Sequence, residues 1–323
     1  MSSQVQASEP RNSFLGYIYI ATATFFWGVS ATLGRAAFTG RLFHGGELRS
    51  IDPLILSQSR TTFAFLVFLP ILMLTRGWRR LQLPAADLGR ISVLGVLGVA
   101  ASNYFYYLAI QRTSVATAIT VQYTAPIWVL LYMVAAGLQK ATLRRLIAVL
   151  LAIVGIVLVV GIFRSGGLRL DAIGVIAALL AAFSFAFYNI AGHNILARYD
   201  HWIVLLYITF SASVFWMAIN PPWKVVAHHY SARSWAFLFV FSLISVLAPF
   251  SFYIAGLRYL DPTRAIVVSC LEPVFSIVIA AIALGEIVRP LQAGGILFVL
   301  AAILVVQMPD RKSREAMLVE PIE

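Results

Sequence analysis

The chain has 323 residues, of which 61% are hydrophobic and only 11% charged. A soluble domain carries about 25% charged residues, so the composition excludes a soluble globular protein and predicts an integral membrane protein. The +11 net charge belongs to the Lys and Arg of membrane loops. The expected surroundings are therefore a lipid bilayer, with no nucleic acid as a partner.

The apolar residues fill roughly ten spans of about 20 residues. They run continuously, where a β-barrel would alternate, so the predicted class is an all-α integral membrane protein. Residues 1–13 are polar and form a disordered N-terminal tail. Spans follow at 14–36, 53–75, 88–109, 113–136, 143–162, 171–193, 202–219, 235–256, 263–284 and 290–307, and 308–323 is a basic C-terminal tail. The first apolar run flows into Arg35 without a small-residue cleavage site, so it is expected to remain as the first helix rather than leave as a signal peptide. Of the 24 Lys and Arg, 14 fall on the side of the N-terminus, nine on the other and Arg60 within a span. That bias places both termini in the cytoplasm. Cys270 is the single cysteine, so no intramolecular disulfide is possible.

The chain carries an internal repeat. A shift of 147 residues brings Phe105-Tyr106 onto Phe252-Tyr253, Ala118-Ile119 onto Ala265-Ile266, Val121 onto Val268 and Pro126 onto Pro273. A shift of 158 near the start of each half brings Gly16 onto Gly174, Phe25 onto Phe183 and Gly34 onto Gly192. Five spans per half is an odd number, so the halves, 14–162 and 171–307, are expected to cross the bilayer in opposite directions. In transporters built this way the site lies between the halves near the midplane.

Several features together resemble the EamA family of the drug/metabolite transporter superfamily. They are the five-plus-five spans, Trp27-Gly28 in the first helix, a proline within the fourth and ninth helices (TAPIW and LEPVF) and Leu284-Gly285-Glu286 closing the ninth. The resemblance covers about 14–307. It implies two EamA-like five-helix repeats, and transport of small metabolites, often export of amino acids or related compounds, across the bacterial inner membrane. One departure stands out. The first half has Ala125 before its proline and Leu138-Gln139 after Gly137, so the acidic positions of the second half, Glu272 and Glu286, are not duplicated.

Glu272 is the most informative residue. It lies inside an apolar span, where a carboxylate costs a few kcal/mol unless protonated, paired or hydrated. Three roles fit it: binding a substrate ammonium, carrying a proton, or serving as a structural partner to a neighbouring helix. Arg60, in the second span, either snorkels to the surface, binds a substrate carboxylate, or acts as the charge partner of Glu272. Gln58 is two residues from Arg60, so only one of them faces the centre. Pro126 and Pro273 each remove a helix hydrogen bond and free a carbonyl one turn earlier, which predicts kinks at a cavity or in static packing.

Asn103, Tyr106 and Tyr107 share one helix face, and Gln122 and Tyr123 share the side of Pro126. Tyr188 brings a mixed polar and aromatic face. Trp27, Asn103, Tyr107, Gln122, Tyr123, Tyr188, Tyr253 and Glu272 are therefore the expected substrate-binding set, suited to a ligand with an apolar body and a polar end. For Asn103 and Gln122 the plain alternative is interhelical hydrogen bonding. His228-His229 has no third ligand at metal spacing, and no phosphate-binding Gly-x4-Gly-Lys-Ser/Thr loop is present. No catalytic residue, metal or cofactor is expected. The chain reads as a secondary transporter with a small-molecule substrate and possible proton coupling. A membrane-embedded transferase enzyme, or a structural or sensor protein, is the alternative.

Overall fold

The structure, a computed structural model, describes residues 13–39, 51–113, 115–160, 171–284 and 289–308. Gly285 and Glu286, and both expected tails apart from Ser13 and Met308, lie outside them. Among the described residues all regular structure is helical.

The order is α1 (Ser13–Thr39), α2 (Pro53–Arg76), the short α3 (Trp78–Leu81), α4 (Ala85–Val93), α5 (Ala101–Arg112), α6 (Val115–Gln122), α7 (Ala125–Ala135) and α8 (Leu143–Val160). Then come α9 (Ala172–Leu196), α10 (His201–Ile219), the short α11 (Pro222–Val226), α12 (Ala232–Ser242), α13 (Ala248–Leu257), α14 (Pro262–Ser269), α15 (Leu271–Leu284) and α16 (Pro290–Gln307). Two π-helical segments make continuous rods, Leu94–Ala100 joining α4 to α5 and Leu243–Leu247 joining α12 to α13.

The helix starts explain where the acids went. Asp52, Asp171, Asp200 and Asp261 each cap a helix, accepting a hydrogen bond from a backbone N–H of the first turn. A carboxylate there satisfies an orphan donor and meets the positive end of the helix dipole.

Seven described stretches are long and apolar enough to cross a membrane: Ser13–Ser30, Leu54–Arg76, Ala85–Ala109, Ala118–Ala135, Ala172–Leu196, His201–Ile219 and Ala232–Leu257. The sequence predicts ten. Of the other three, the ninth expected span is divided between α14 and α15, α8 opens with Arg144-Arg145, and α16 offers only Pro290–Val306. The exterior is strongly apolar, with Leu74 88% and Ile282 82% exposed. That suits lipid as the solvent and is untenable in water.

The first helix of each half packs on the far half. α1 lies against α13, α14 and α15, while α9 lies against α5, α6 and α7. α8 and α16 pair with each other. These crossings repeat residue by residue. Gly16 sits against Tyr259 and Leu260, and Gly174 against Arg112 and Thr113. The shifts of 158 and 147 carry the first contact onto the second. The same shifts carry the Phe25–Phe275 ring pair, 5.6 Å between centroids, onto the Phe183–Trp128 pair at 4.5 Å. In the α8–α16 pair, a Cβ added at Gly155 would stand 2.7 Å from Val299, and one at Gly295 would stand 2.7 Å from Val159. Glycine is what lets these backbones meet.

Candidate functional site

The two prolines do more than kink their helices. The fourth helix ends at Gln122, turns through Tyr123 and Thr124, and restarts as α7 with Pro126 in its first turn. The ninth ends at Ser269, turns at Cys270, and restarts as α15 with Pro273 in its first turn. A proline is readily accepted in a first turn, where its missing N–H would have no partner. Its absence releases the Gln122 and Ser269 carbonyls from the helical ladder. At both prolines, 147 residues apart, the α-helical ladder is interrupted by a tight turn whose residues Thr124 and Cys270 keep right-handed helical dihedrals.

The second break changes the standing of Glu272. A glutamate expected in mid-span is the second residue of α15, at the positive end of that helix's dipole. Its Oε2 accepts a hydrogen bond of 2.8 Å from the hydroxyl of Tyr123, which lies in the other break. One hydrogen bond therefore joins the interrupted helix of the first half to that of the second. Glu272 stays partly exposed, and Tyr123 is 6% exposed.

Arg60 does not pair with Glu272. Among the described residues no carboxylate lies within ion-pair distance of Arg60. Its Nε donates to Ser245 Oγ at 2.9 Å, its Nη2 to the Ser245 carbonyl at 3.0 Å and its Nη1 to Tyr107 Oη at 3.2 Å. The guanidinium also stands 5.5 Å from the Phe241 ring centroid. Five fixed donors favour such a planar set of oxygens, and a π-helical segment offers Ser245 O out of the ordinary ladder. Gln58, two residues away, is closed off: its amide exchanges two hydrogen bonds of 2.8 Å with Asn220.

The expected binding residues divide into two groups. Trp27, Tyr188 and Tyr253 pack into one aromatic cluster with Phe185 and Phe250. Trp27 stands 5.0 Å from Tyr253 and 5.4 Å from Phe250, and Tyr188 stands 6.0 Å from Tyr253. Tyr253 donates to Asn189 Oδ1 at 2.6 Å. Among the described residues the Tyr188 hydroxyl, on a residue 1% exposed, finds no partner. Asn103, Tyr107, Gln122 and Glu272 remain partly exposed. Asn103 donates to Val99 O in its own helix at 3.0 Å, and Gln122 reaches Ser102 Oγ at 3.5 Å.

Ser245, Ser102 and Asn189 complete these contacts and are absent from the expected set. Ser245 had one legible mark, a hydroxyl inside the apolar run SLISVLAPF. The π-helical segments had none.

A model of the EamA-like transporter family matches the chain twice, over residues 14–161 and 172–308. A protein of Salmonella typhimurium named an uncharacterized inner membrane transporter, YicL, is 22% identical over 93% of this chain and 98% of its own length. An uncharacterized transporter of Archaeoglobus fulgidus is 28% identical over 74% of this chain and 82% of its own. A protein of known crystal structure superposes with a TM-score of 0.73 at 18% identity, covering 95% of this chain and 99% of that one.

Proposed function

Because the chain belongs to the EamA-like transporter family, and is a multi-pass membrane transporter, we propose that it is a secondary exporter of small amphipathic metabolites such as amino acids. It works by alternating access across the bacterial inner membrane, with both termini in the cytoplasm. It is not an enzyme. Its ten helices form two five-helix repeats, 14–162 and 171–307, inverted relative to each other. The duplicated contacts of Gly16 and Gly174 and of the Phe25 and Phe183 ring pairs support that plan, because one crossing geometry serves both halves.

The observation that carries the reading is the Tyr123–Glu272 hydrogen bond between two helix breaks. Broken helices within a bundle bring terminal N–H and C=O groups to a site otherwise walled by apolar side chains. Glu272 supplies the negative group for a substrate ammonium or a proton. Arg60, Tyr107, Asn103 and Gln122 supply polar contacts. The ring cluster of Trp27, Tyr188 and Tyr253 meets the apolar body of the ligand. A carboxylate held by one tyrosine hydroxyl can exchange that partner as the halves rock.

Purified protein in proteoliposomes, loaded in turn with members of a metabolite panel, tests this. Counterflow of labelled amino acid that saturates, and that in Glu272→Gln is mostly lost or no longer depends on pH, is expected. A panel of zwitterionic and cationic metabolites that leaks no faster than from empty liposomes would reject the reading.

A further inference from the structure

Polar contacts gather the junctions 76–87, 199–201 and 258 at one end of the bundle. Arg76 pairs with Asp200 at 3.2 Å, Tyr207 donates to Leu81 O at 2.8 Å, Tyr199 donates to Asp87, and Arg258 donates to His201 Nδ1 at 3.3 Å. This end also carries α3, whose Leu81 is buried while Trp78 is 57% exposed beside the exposed Arg79 and Arg80.

Between the start of α4 and the end of α9 a cleft of about 210 Å³ opens here, lined by Asp87, Arg90, Ile91, Asn194, Ile195, Arg198 and Tyr199. Its charges are unbalanced. Asp87 is engaged on both oxygens, with Arg90 at 3.1 Å on one and Tyr199 on the other. The same bond to Asp87 pushes the Tyr199 hydroxyl pKa above its ordinary value. The Arg198 side chain is exposed, and among the described residues no hydrogen-bond or ion-pair partner meets it. Two arginines against one carboxylate leave a net positive cleft with a planar donor fork unused. Guanidinium groups match phosphate oxygens in both charge and geometry.

We propose that this cleft is a phosphate-binding site, with Arg198 and Arg90 holding the anion and Asn194 adding a neutral donor. The apolar side, Ile91 and Ile195, and the position at the ends of two membrane-crossing stretches, Ala85–Ala109 and Ala172–Leu196, with Arg198 and Tyr199 just past the second, suit the headgroup of an anionic phospholipid. Basic clefts between helices at the cytoplasmic leaflet bind such headgroups. A free phosphate has the same anionic chemistry without the acyl chains.

Native mass spectrometry on the full chain distinguishes the sources. The protein is released from detergent with phosphatidylglycerol, phosphatidylcholine or inorganic phosphate added separately. The expected result is retained phosphatidylglycerol in preference to phosphatidylcholine. Arg198→Gln should lower its occupancy about fivefold, the effect of one arginine at a charged leaflet. Arg198 is exposed, so this variant folds, and an unchanged melting temperature in phosphatidylcholine verifies that. Arg79→Gln, outside the cleft, should leave occupancy unchanged. Retention of inorganic phosphate that is equal to phosphatidylglycerol and lost in Arg198→Gln identifies the same site with a soluble ligand. Equal retention of both lipids, or an equal loss in Arg79→Gln, overturns the site and leaves only diffuse surface charge.

Discussion

The break at Tyr123-Thr124 and the break at Cys270 occupy matching places in the two halves and differ in chemistry. Each ends a helix of eight residues, each is followed by a proline in the first turn of the next helix, and the two prolines stand 147 residues apart. The first break leads into Ala125, the second into Glu272. The shift of 147 carries Tyr123 onto Cys270 and Ala125 onto Glu272, so the Tyr123–Glu272 hydrogen bond has a mirror pair, Cys270 and Ala125, that cannot form one. Backbone contacts are duplicated because both halves must bury the same crossings. Side-chain polarity at the centre is not: a second carboxylate beside the first would add its own desolvation cost and a like-charge repulsion.

The largest expected effect breaks that asymmetry. Glu272→Gln keeps shape and hydrogen-bonding capacity but removes ionisation. It should insert and fold like the parent yet lose most of its transport, or all of its dependence on pH, in the proteoliposome assay. Parental transport across the pH range would make Glu272 a structural partner of Tyr123 only. Ala125→Glu, which places the acid in the other break as well, should also impair transport by setting a second carboxylate in the same interior.

A second experiment tests the shared frame. Gly16→Leu and Gly174→Leu both force a side chain into a facing helix, at Tyr259-Leu260 and at Arg112-Thr113 respectively. Overpacking costs about 1–3 kcal/mol, and the two variants should lower the unfolding midpoint in detergent by similar amounts. A loss confined to one of them would show that the repeated contact carries different weight in the two halves.

Much of this frame was legible in the sequence. Continuous apolar runs predict the helices, the matched prolines mark both breaks, and the aligned glycines Gly16 and Gly174 mark real crossings. Local signals carried these, since caps, prolines and glycines act on their own turn of chain. The long-range partners were hidden. Arg60 reads equally as snorkelling, binding or pairing with Glu272, and only the fold brings Ser245, 185 residues away, to its guanidinium. The π-helical segments left no mark, because one extra residue in a turn follows from packing rather than from propensity.

A smaller effect is expected at the bond between the breaks. Tyr123→Phe removes the donor to Glu272 and nothing else. Hydrogen bonds to charged groups contribute about 1.5–3 kcal/mol, and interhelical bonds in membranes about 0.6. A loss of about 1 kcal/mol by thermal unfolding is therefore expected. In the Glu272→Gln background the same change should cost less, because a neutral acceptor makes a weaker bond. An equal cost in both backgrounds would mean that Tyr123 acts through packing.

The smallest effect concerns Tyr188, another unduplicated group: the shift of 158 places it on Ser30. Its hydroxyl is buried with no partner among the described residues, whereas the neighbouring Tyr253 hydroxyl bonds Asn189 at 2.6 Å. Removing an unsatisfied buried group relieves a desolvation penalty, while removing one member of a bonded pair leaves the other stranded. Tyr188→Phe should therefore unfold at the parental temperature or slightly above. Tyr253→Phe should lose about 1–3 kcal/mol. If the Tyr188 hydroxyl awaits a polar group of the substrate, Tyr188→Phe will nonetheless raise KM in the transport assay while kcat holds. A stable variant with parental KM would reduce Tyr188 to a wall of the ring cluster, and leave Glu272 as the centre of the asymmetry between the halves.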